Sequence, residues 1–176
     1  MSGHHCLYYD SLKDLCGVVA SFLRDGIRKN MLCLWILPGG LDAEAAKVAL
    51  RESLGDLDQY VGSGQLEIRE FHDWYTRSGA FNPEETLKAC GQKESEALAR
   101  GFSGLCVIGD GSWLLREDRE KLLTYESVAA EVISQSKITA LCTYATEKLS
   151  EEERRIMSQH HDVSISHRHG TLAISN

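Results

Sequence analysis

Apolar and polar positions along this chain follow two periods that take turns. From Asp10 to Arg24, Leu12, Leu15, Cys16, Val19, Phe22 and Leu23 recur on one face at helical spacing. Asp10 or Ser11 suits the N-cap of that helix and Gly26 its stop. Met31–Leu37 is apolar almost throughout and ends at Pro38-Gly39-Gly40, as a buried strand does. Residues 43–54 return to helix, with Ala46, Ala49, Leu50 and Leu54 turned inward. Gln65–Phe71 alternates as a strand, and HDWYTRSGAFN after it reads as a loop. Asn82 caps and Pro83 opens a helix to about Arg100, closed by Gly101. Leu105–Ile108 is a third strand, Glu117–Ser134 a long helix and Ile138–Tyr144 a fourth strand. Ser150 and the three glutamates after it start a helix ending near Gln159, with acids at the favourable end of its dipole. Val163–Ser166 and Thr171–Ile174 close the chain as a hairpin-like pair around His169-Gly170.

Helices alternating with nearly continuous apolar strands indicate a parallel sheet covered on both faces. The expected fold is α/β, a three-layer sandwich with a mostly parallel central sheet and antiparallel edge strands at the C-terminus. No repeat or linker divides the chain, so residues 1–176 are expected to form one domain. In such sheets ligands bind outside the carboxyl ends of the strands. Those ends carry Leu37–Gly40, Phe71–Tyr75, Gly109–Trp113 and Tyr144, a mixture of aromatic and polar groups suited to a small-molecule pocket.

Charge and cysteine usage narrow the class. The net charge of −7 argues against a dedicated nucleic-acid binder, which needs a concentrated basic surface. The N-terminus lacks the basic flank and apolar stretch of a signal peptide, and no apolar run approaches the roughly 18 residues of a membrane span. A reducing, cytoplasmic setting is therefore expected. The six cysteines are scattered without a CxxC pair. Cys33, Cys106 and Cys142 fall on strands and Cys16 and Cys90 on inner helix faces, where a thiol acts as a small hydrophobe. Cys6, beside His5, is left as the one candidate reactive thiol.

Tests for catalytic chemistry come back empty. The phosphate-binding pattern GxxxxGK[ST] is absent, and Asp42 and Glu44 oppose an anion at the helix that follows PGG. Asp110, at a strand end, reads either as the cap of the next turn or as a pocket acid. His167 and His169 would face one side of a strand, a geometry metals can use, but no thiol or carboxylate stands at familiar spacing. No GxSxG elbow or cysteine-nucleophile signature occurs. The reading is a binding protein without a catalytic set, not an enzyme, and with no cofactor.

Several short motifs, in register over almost the whole chain, resemble the MEDS domain, named for methanogen and methylotroph proteins and the sensory region of the DcmR repressor. GHHCLYYDSLKDLCGVVASFLRDGIRKN is similar to its His-x-x-x-Tyr start and Phe-x-x-x-Gly turn, here Phe22 and Gly26. Tyr75, Gly79 and Phe81 match its Tyr-x-x-x-Gly-x-Phe, and Gly109, Asp110, Ser112 and Trp113 its Gly-Asp-x-Ser-Trp signature. Tyr125-Glu126, Cys142 with Tyr144, and His160 complete the correspondence. Gly111 stands where a Met is usual, and His161 where a Pro usually follows the His.

The resemblance implies a RecA- or KaiC-like core that has lost its phosphate loop. It also implies a sensory role toward small organic compounds such as one-carbon or hydrocarbon derivatives. The expected ligand-binding residues are Trp74, Tyr75, Asp110, Trp113, Tyr125, Tyr144 and His160. In relatives the domain accompanies a histidine kinase or a DNA-binding helix-turn-helix, either of which would be the output partner. No direct nucleic-acid or membrane contact is expected, and a homodimer stays open. The alternative is a metal- or redox-responsive regulator using Cys6 and His5, with a residual nucleotide-binding protein third.

Overall fold

The computed structural model describes residues 3–168 and 171–175. Strand β1 (Gly3–Tyr9) leads into helix α1 (Leu12–Arg28), then β2 (Leu32–Ile36), α2 (Ala43–Leu54), α3 (Leu57–Gly62) and β3 (Leu66–Arg69). A short α4 (Phe71–Tyr75) precedes α5 (Pro83–Ala99), β4 (Leu105–Asp110), α6 (Leu114–Glu117) and α7 (Arg119–Ser134). The chain closes with β5 (Ile138–Ala145), α8 (Glu151–Ser158), β6 (Val163–Arg168) and β7 (Thr171–Ser175).

The seven strands form one sheet in the order β3-β2-β4-β5-β1-β6-β7. Every neighbouring pair is parallel except β6–β7, which is antiparallel at the edge. Leu7, Tyr9, Trp35, Ile108 and Leu141 pack beneath α1 and α2 on one face. Leu34, Val107 and Ala140 pack beneath α5 and α7 on the other, continuous with Cys6, Tyr8 and Tyr144 beside α8. This is the expected three-layer α/β sandwich. Among the described residues no helix is long and apolar enough to cross a membrane.

Two local readings change, and one strand is new. Gly3–Tyr9, which opens with two adjacent histidines, is an interior strand between β5 and β6. Gly26 does not stop α1, which runs on to Arg28. A Cβ there would lie 2.9 Å from the sulfurs of both Cys33 and Cys106, so this glycine lets the helix lie close on the sheet. The segment after β3 begins with one turn of helix rather than a loop. The expected caps of α5 and α8 are present, at Asn82 and in a reciprocal Ser150–Glu153 capping box.

Candidate functional site

Between the sheet and helices α5 and α7 lies a cavity with about 50 Å³ open to the centres of water-sized molecules. Ile36, Val107, Gly109 and Ala140 form its sheet wall, and Leu87, Cys90, Leu122, Tyr125 and Ala129 its helix wall. Trp74 and Tyr75 of α4, Phe81 and Trp113 close the end near the carboxyl ends of β3 and β4. The Trp113 ring lies 5.5 Å from Phe81 and 5.7 Å from Tyr75, and Phe81 meets Tyr125 edge-on at 5.5 Å. These separations fall in the favourable range for aromatic pairs. Gly109 keeps the wall bare, since a Cβ there would collide with the Tyr75 hydroxyl. The indole Nε1 atoms of Trp74 and Trp113 are buried without a hydrogen-bond partner.

Asp110 also lies on the cavity wall, yet the protein's own donors fill its carboxylate. Its Oδ1 accepts from the Ser112 N–H at 3.0 Å. Its Oδ2 accepts from the hydroxyls of Tyr9 at 2.9 Å, Thr143 at 3.0 Å and Ser112 at 3.1 Å. Ser112 Oγ in turn accepts the Ala145 N–H at 2.7 Å, so the group ties the ends of β1, β4 and β5 together. Burial pushes the Asp110 carboxyl up and the four donors pull it back, leaving it above its ordinary value.

A second polar group meets the other part of the cavity. His4, Glu126 and Cys142 line it, and His161 joins them, their ligand-type atoms all within 4.8 Å of one another. His4 sits on β1 beside β5, which carries Cys142, and Glu126 descends from α7. His161 is delivered by the turn between α8 and β6. Asp162 fixes that turn, accepting the His4 N–H at 2.8 Å and donating its own N–H to the His4 carbonyl at 2.7 Å. Gly3 leaves room for the clip, because a Cβ there would strike the Asp162 carboxylate.

Each imidazole in this group is oriented from behind. His4 Nδ1–H donates to the His160 carbonyl at 2.9 Å, and His161 Nδ1–H to the Met157 carbonyl at 2.7 Å. Both Nε2 atoms lie 3.3 Å from Glu126 Oε2, while Tyr144 donates its hydroxyl to Oε1. Burial alone would raise the Glu126 carboxyl, but His161 and His4 hold it far below the carboxylate range. Burial alone would lower His4, but the Cys142 sulfur and Glu126 outweigh it and push it up to about 10. His161 is raised still further by Cys142, Cys6 and Glu126, against its burial.

The sequence matches the MEDS family, the MEthanogen/methylotroph, DcmR Sensory domain, over residues 3–162. The chain belongs to that family. MEDS is by that description a sensory domain, so a sensory role comes with membership. No curated protein matches the chain. Solved structures share its fold. The flagellar accessory protein FlaH from Methanocaldococcus jannaschii superposes with a TM-score of 0.61 at 10% identity, over 98% of this chain and 77% of that one. A KaiC-like protein from Pyrococcus horikoshii gives 0.57 at 16% identity, over 98% and 76%. A Pyrococcus horikoshii protein solved with an unknown peptide gives 0.65 at 12% identity, over 99% and 82%. At such identities the likeness is one of RecA/KaiC-like fold.

In this MEDS domain, Trp74, Tyr75, Asp110, Trp113 and Tyr125 come together around one cavity. The cavity extends down the face of the sheet under α5 and α7, beyond the strand ends where sequence reasoning put it. Tyr144 and His160 lie off its lining. Tyr144 stacks its ring against Gly111 and turns its hydroxyl to Glu126, while His160 offers its backbone carbonyl to His4. His5 faces the α1 side, because adjacent strand residues point to opposite faces; its buried ring meets Phe22 edge-on and both nitrogens lack partners. Cys6 is 0% exposed, its thiol donating to Ser164 Oγ at 3.3 Å, so solvent does not reach it directly. Burial pushes that thiol up, but His161 and Ser164 bring it below the ordinary value.

The assignment of Cys142 to packing is corrected, since its sulfur lies 3.2 Å from His4 Nε2. His167 pairs with Asp14 at 2.9 Å, and His169 lies outside the described residues. Sequence reasoning missed His4, Glu126, Cys142 and His161 as a set. Glu126 and Cys142 already stood in the family-like motifs, and the alternation His4, Cys6, Tyr8 becomes a signal once Gly3–Tyr9 is known to be a strand.

Proposed function

We propose that this MEDS domain senses a small organic molecule of a few heavy atoms, a one-carbon or hydrocarbon derivative bearing a hydrogen-bond-accepting atom. The observation that carries this reading is the pair of buried, unpartnered indole N–H groups at the aromatic end of the cavity. A buried donor without an acceptor costs about 1–3 kcal/mol, and a ligand acceptor recovers part of that. Size supports the same class, because a cavity of about 50 Å³ holds only a few water-sized groups. A nucleotide is far larger, and the β1–α1 turn has only Asp10 and Ser11 where a phosphate loop would need glycines. The domain works by binding, without catalysis, in the cytoplasm. It passes occupancy to a histidine kinase or a DNA-binding regulator.

Thermal shift and tryptophan fluorescence against a panel of small alcohols, amines, aldehydes and halomethanes test the proposal. Trp35 is buried on the α1 side and supplies a constant background. Trp113→Ala is expected to abolish the response of any hit. Trp74→Phe, which keeps a ring but removes the N–H, weakens it about tenfold, the equivalent of one hydrogen bond. A hit unaffected by Trp113→Ala in a folded variant sinks the site. Stabilisation by magnesium nucleotide, with none by small organics, overturns the reading.

A further inference from the structure

The second polar group has a geometry that protein-only hydrogen bonding leaves incomplete. A carbonyl oxygen can only accept, so the contacts to His160 and Met157 place the ring proton of both His4 and His161 on Nδ1. In its neutral form each ring then presents an Nε2 lone pair, and both face the same acceptor, Glu126 Oε2, at 3.3 Å. Glu126 Oε2 and His161 Nε2 are both buried, and neither has a hydrogen-bond partner beyond these 3.3 Å ion-pair contacts. Acceptors held this close need positive charge between them. Either protons sit on the imidazoles or one cation sits among all of them.

The spacing and the outer contacts favour a cation. Zinc bonds of about 2.0–2.1 Å to nitrogen or oxygen and about 2.3 Å to sulfur give tetrahedral edges of roughly 3.3–3.6 Å. Glu126 Oε2 stands 3.3 Å from each imidazole Nε2, and His4 Nε2 lies 3.2 Å from Cys142 Sγ, slightly inside that edge. A back-side Nδ1–H bond to a carbonyl is the usual support of a metal-ligating histidine, fixing its tautomer and ring angle. Here both histidines have it, and Tyr144 holds the distal carboxylate oxygen. A divalent ion on two neutral imidazoles, a carboxylate and a thiolate leaves no net charge in a buried place. Mixed nitrogen, oxygen and sulfur donors select a borderline transition metal over magnesium or calcium.

We propose that His4, Glu126, Cys142 and His161 form a binding site for a transition-metal dication of the zinc class on the wall of the ligand cavity. Binding takes Nε2 of both imidazoles and the Cys142 sulfur, releases to solvent the protons those atoms carry, and leaves both Nδ1–H contacts in place. His4, Glu126 and Cys142 line the cavity, so a molecule held there meets the ligands of the metal. The site replaces His5 and Cys6 as the metal candidate. It rests on its own donor set, so it can fail while organic ligands still bind, and the converse also holds.

The test uses tag-free full chain, stripped with a chelator and titrated with zinc against a chromogenic competitor, then with cobalt(II) as a spectroscopic probe. One equivalent is expected, with tetrahedral cobalt bands and a thiolate-to-cobalt charge-transfer band. Cys142→Ala removes the charge-transfer band. His161→Gln weakens zinc binding by about a hundredfold or more. His5→Gln changes neither. Circular dichroism establishes that each variant is folded. Should one not fold, zinc protection of Cys142 from alkylation in the wild-type chain, located by peptide mapping, decides. Substoichiometric metal, cobalt without a thiolate band, unprotected Cys142, or unchanged affinity in folded His161→Gln each overturns the proposal.

Discussion

Asp110 and Glu126 are both buried carboxylates beside the same strand, and consecutive residues of β5 serve them. Thr143 donates to Asp110 on one face of the sheet, and Tyr144 donates to Glu126 on the other. Around Asp110 every neighbour is a donor, either a hydroxyl or an N–H, and its oxygens are filled. Around Glu126 one oxygen is filled in the same way, while the other looks at two imidazole nitrogens and a nearby thiol. The lesson is that burial of a carboxylate does not mark a site by itself. What separates architecture from a site is whether the surrounding atoms can complete its hydrogen bonding without help.

The largest expected effect breaks the architectural side. Asp110→Ala strands the hydroxyls of Tyr9, Ser112 and Thr143 and the Ser112 N–H together. Each stranded buried donor costs about 1–3 kcal/mol before relaxation, so a loss of about 3–5 kcal/mol is expected in urea unfolding. A loss below about 1 kcal/mol would mean that the group does not tie the strand ends together.

Gly111→Ala comes next and strikes only the Glu126 side. The added Cβ would stand 2.6 Å from Tyr144 Cε1 and 3.4 Å from Leu122 Cδ1. Overpacking of that kind costs about 1–3 kcal/mol. The ring must shift, drawing its hydroxyl away from Glu126. A Met, the usual residue here in relatives by resemblance, would require the same displacement. Gly111 therefore sets where Tyr144 lies in this chain, and hence how Glu126 is held. An alanine variant as stable as wild type would show that the ring has room to move.

Most of the layer structure was legible because it repeats locally. Leu105–Ile108 and Ile138–Tyr144 are apolar runs, and the face containing Leu15, Val19 and Leu23 follows helical period wherever the helix lies. What was not legible depends on partners distant in the chain. The start of β1 reads as polar because His4 answers Cys142 and His161 rather than a hydrophobic layer. Gly26 reads as a stop because its contacts are two sulfurs on β2 and β4. The aromatic wall was visible, since Trp74, Tyr75 and Trp113 cluster just after strands. The cluster at Glu126 was not, because its members come from two strands, a helix and a turn. Register between β1 and β5 and the Asp162 clip assemble it, and neither leaves a motif.

The smallest effects come from exchanging the two β5 hydroxyls, and they separate the two carboxylates most finely. Thr143→Val removes one of four donors to Asp110 and is expected to cost about 1 kcal/mol at neutral pH. Because the folded value of Asp110 is raised, its contribution is fully present below the unfolded value of about 3.9 and is lost as pH rises through the folded value. A hydroxyl donor favours the ionised form, so removing it raises Asp110 further and deepens that loss. The gap between Thr143→Val and wild type in urea unfolding should therefore widen between about pH 4 and about pH 7, with zinc affinity unchanged. Tyr144→Phe should instead free one oxygen of Glu126 and weaken zinc binding by about tenfold, as loss of an outer hydrogen bond to a ligand does. Equal zinc affinity in the two variants would erase the distinction between a carboxylate that is only held and one that is held in order to bind.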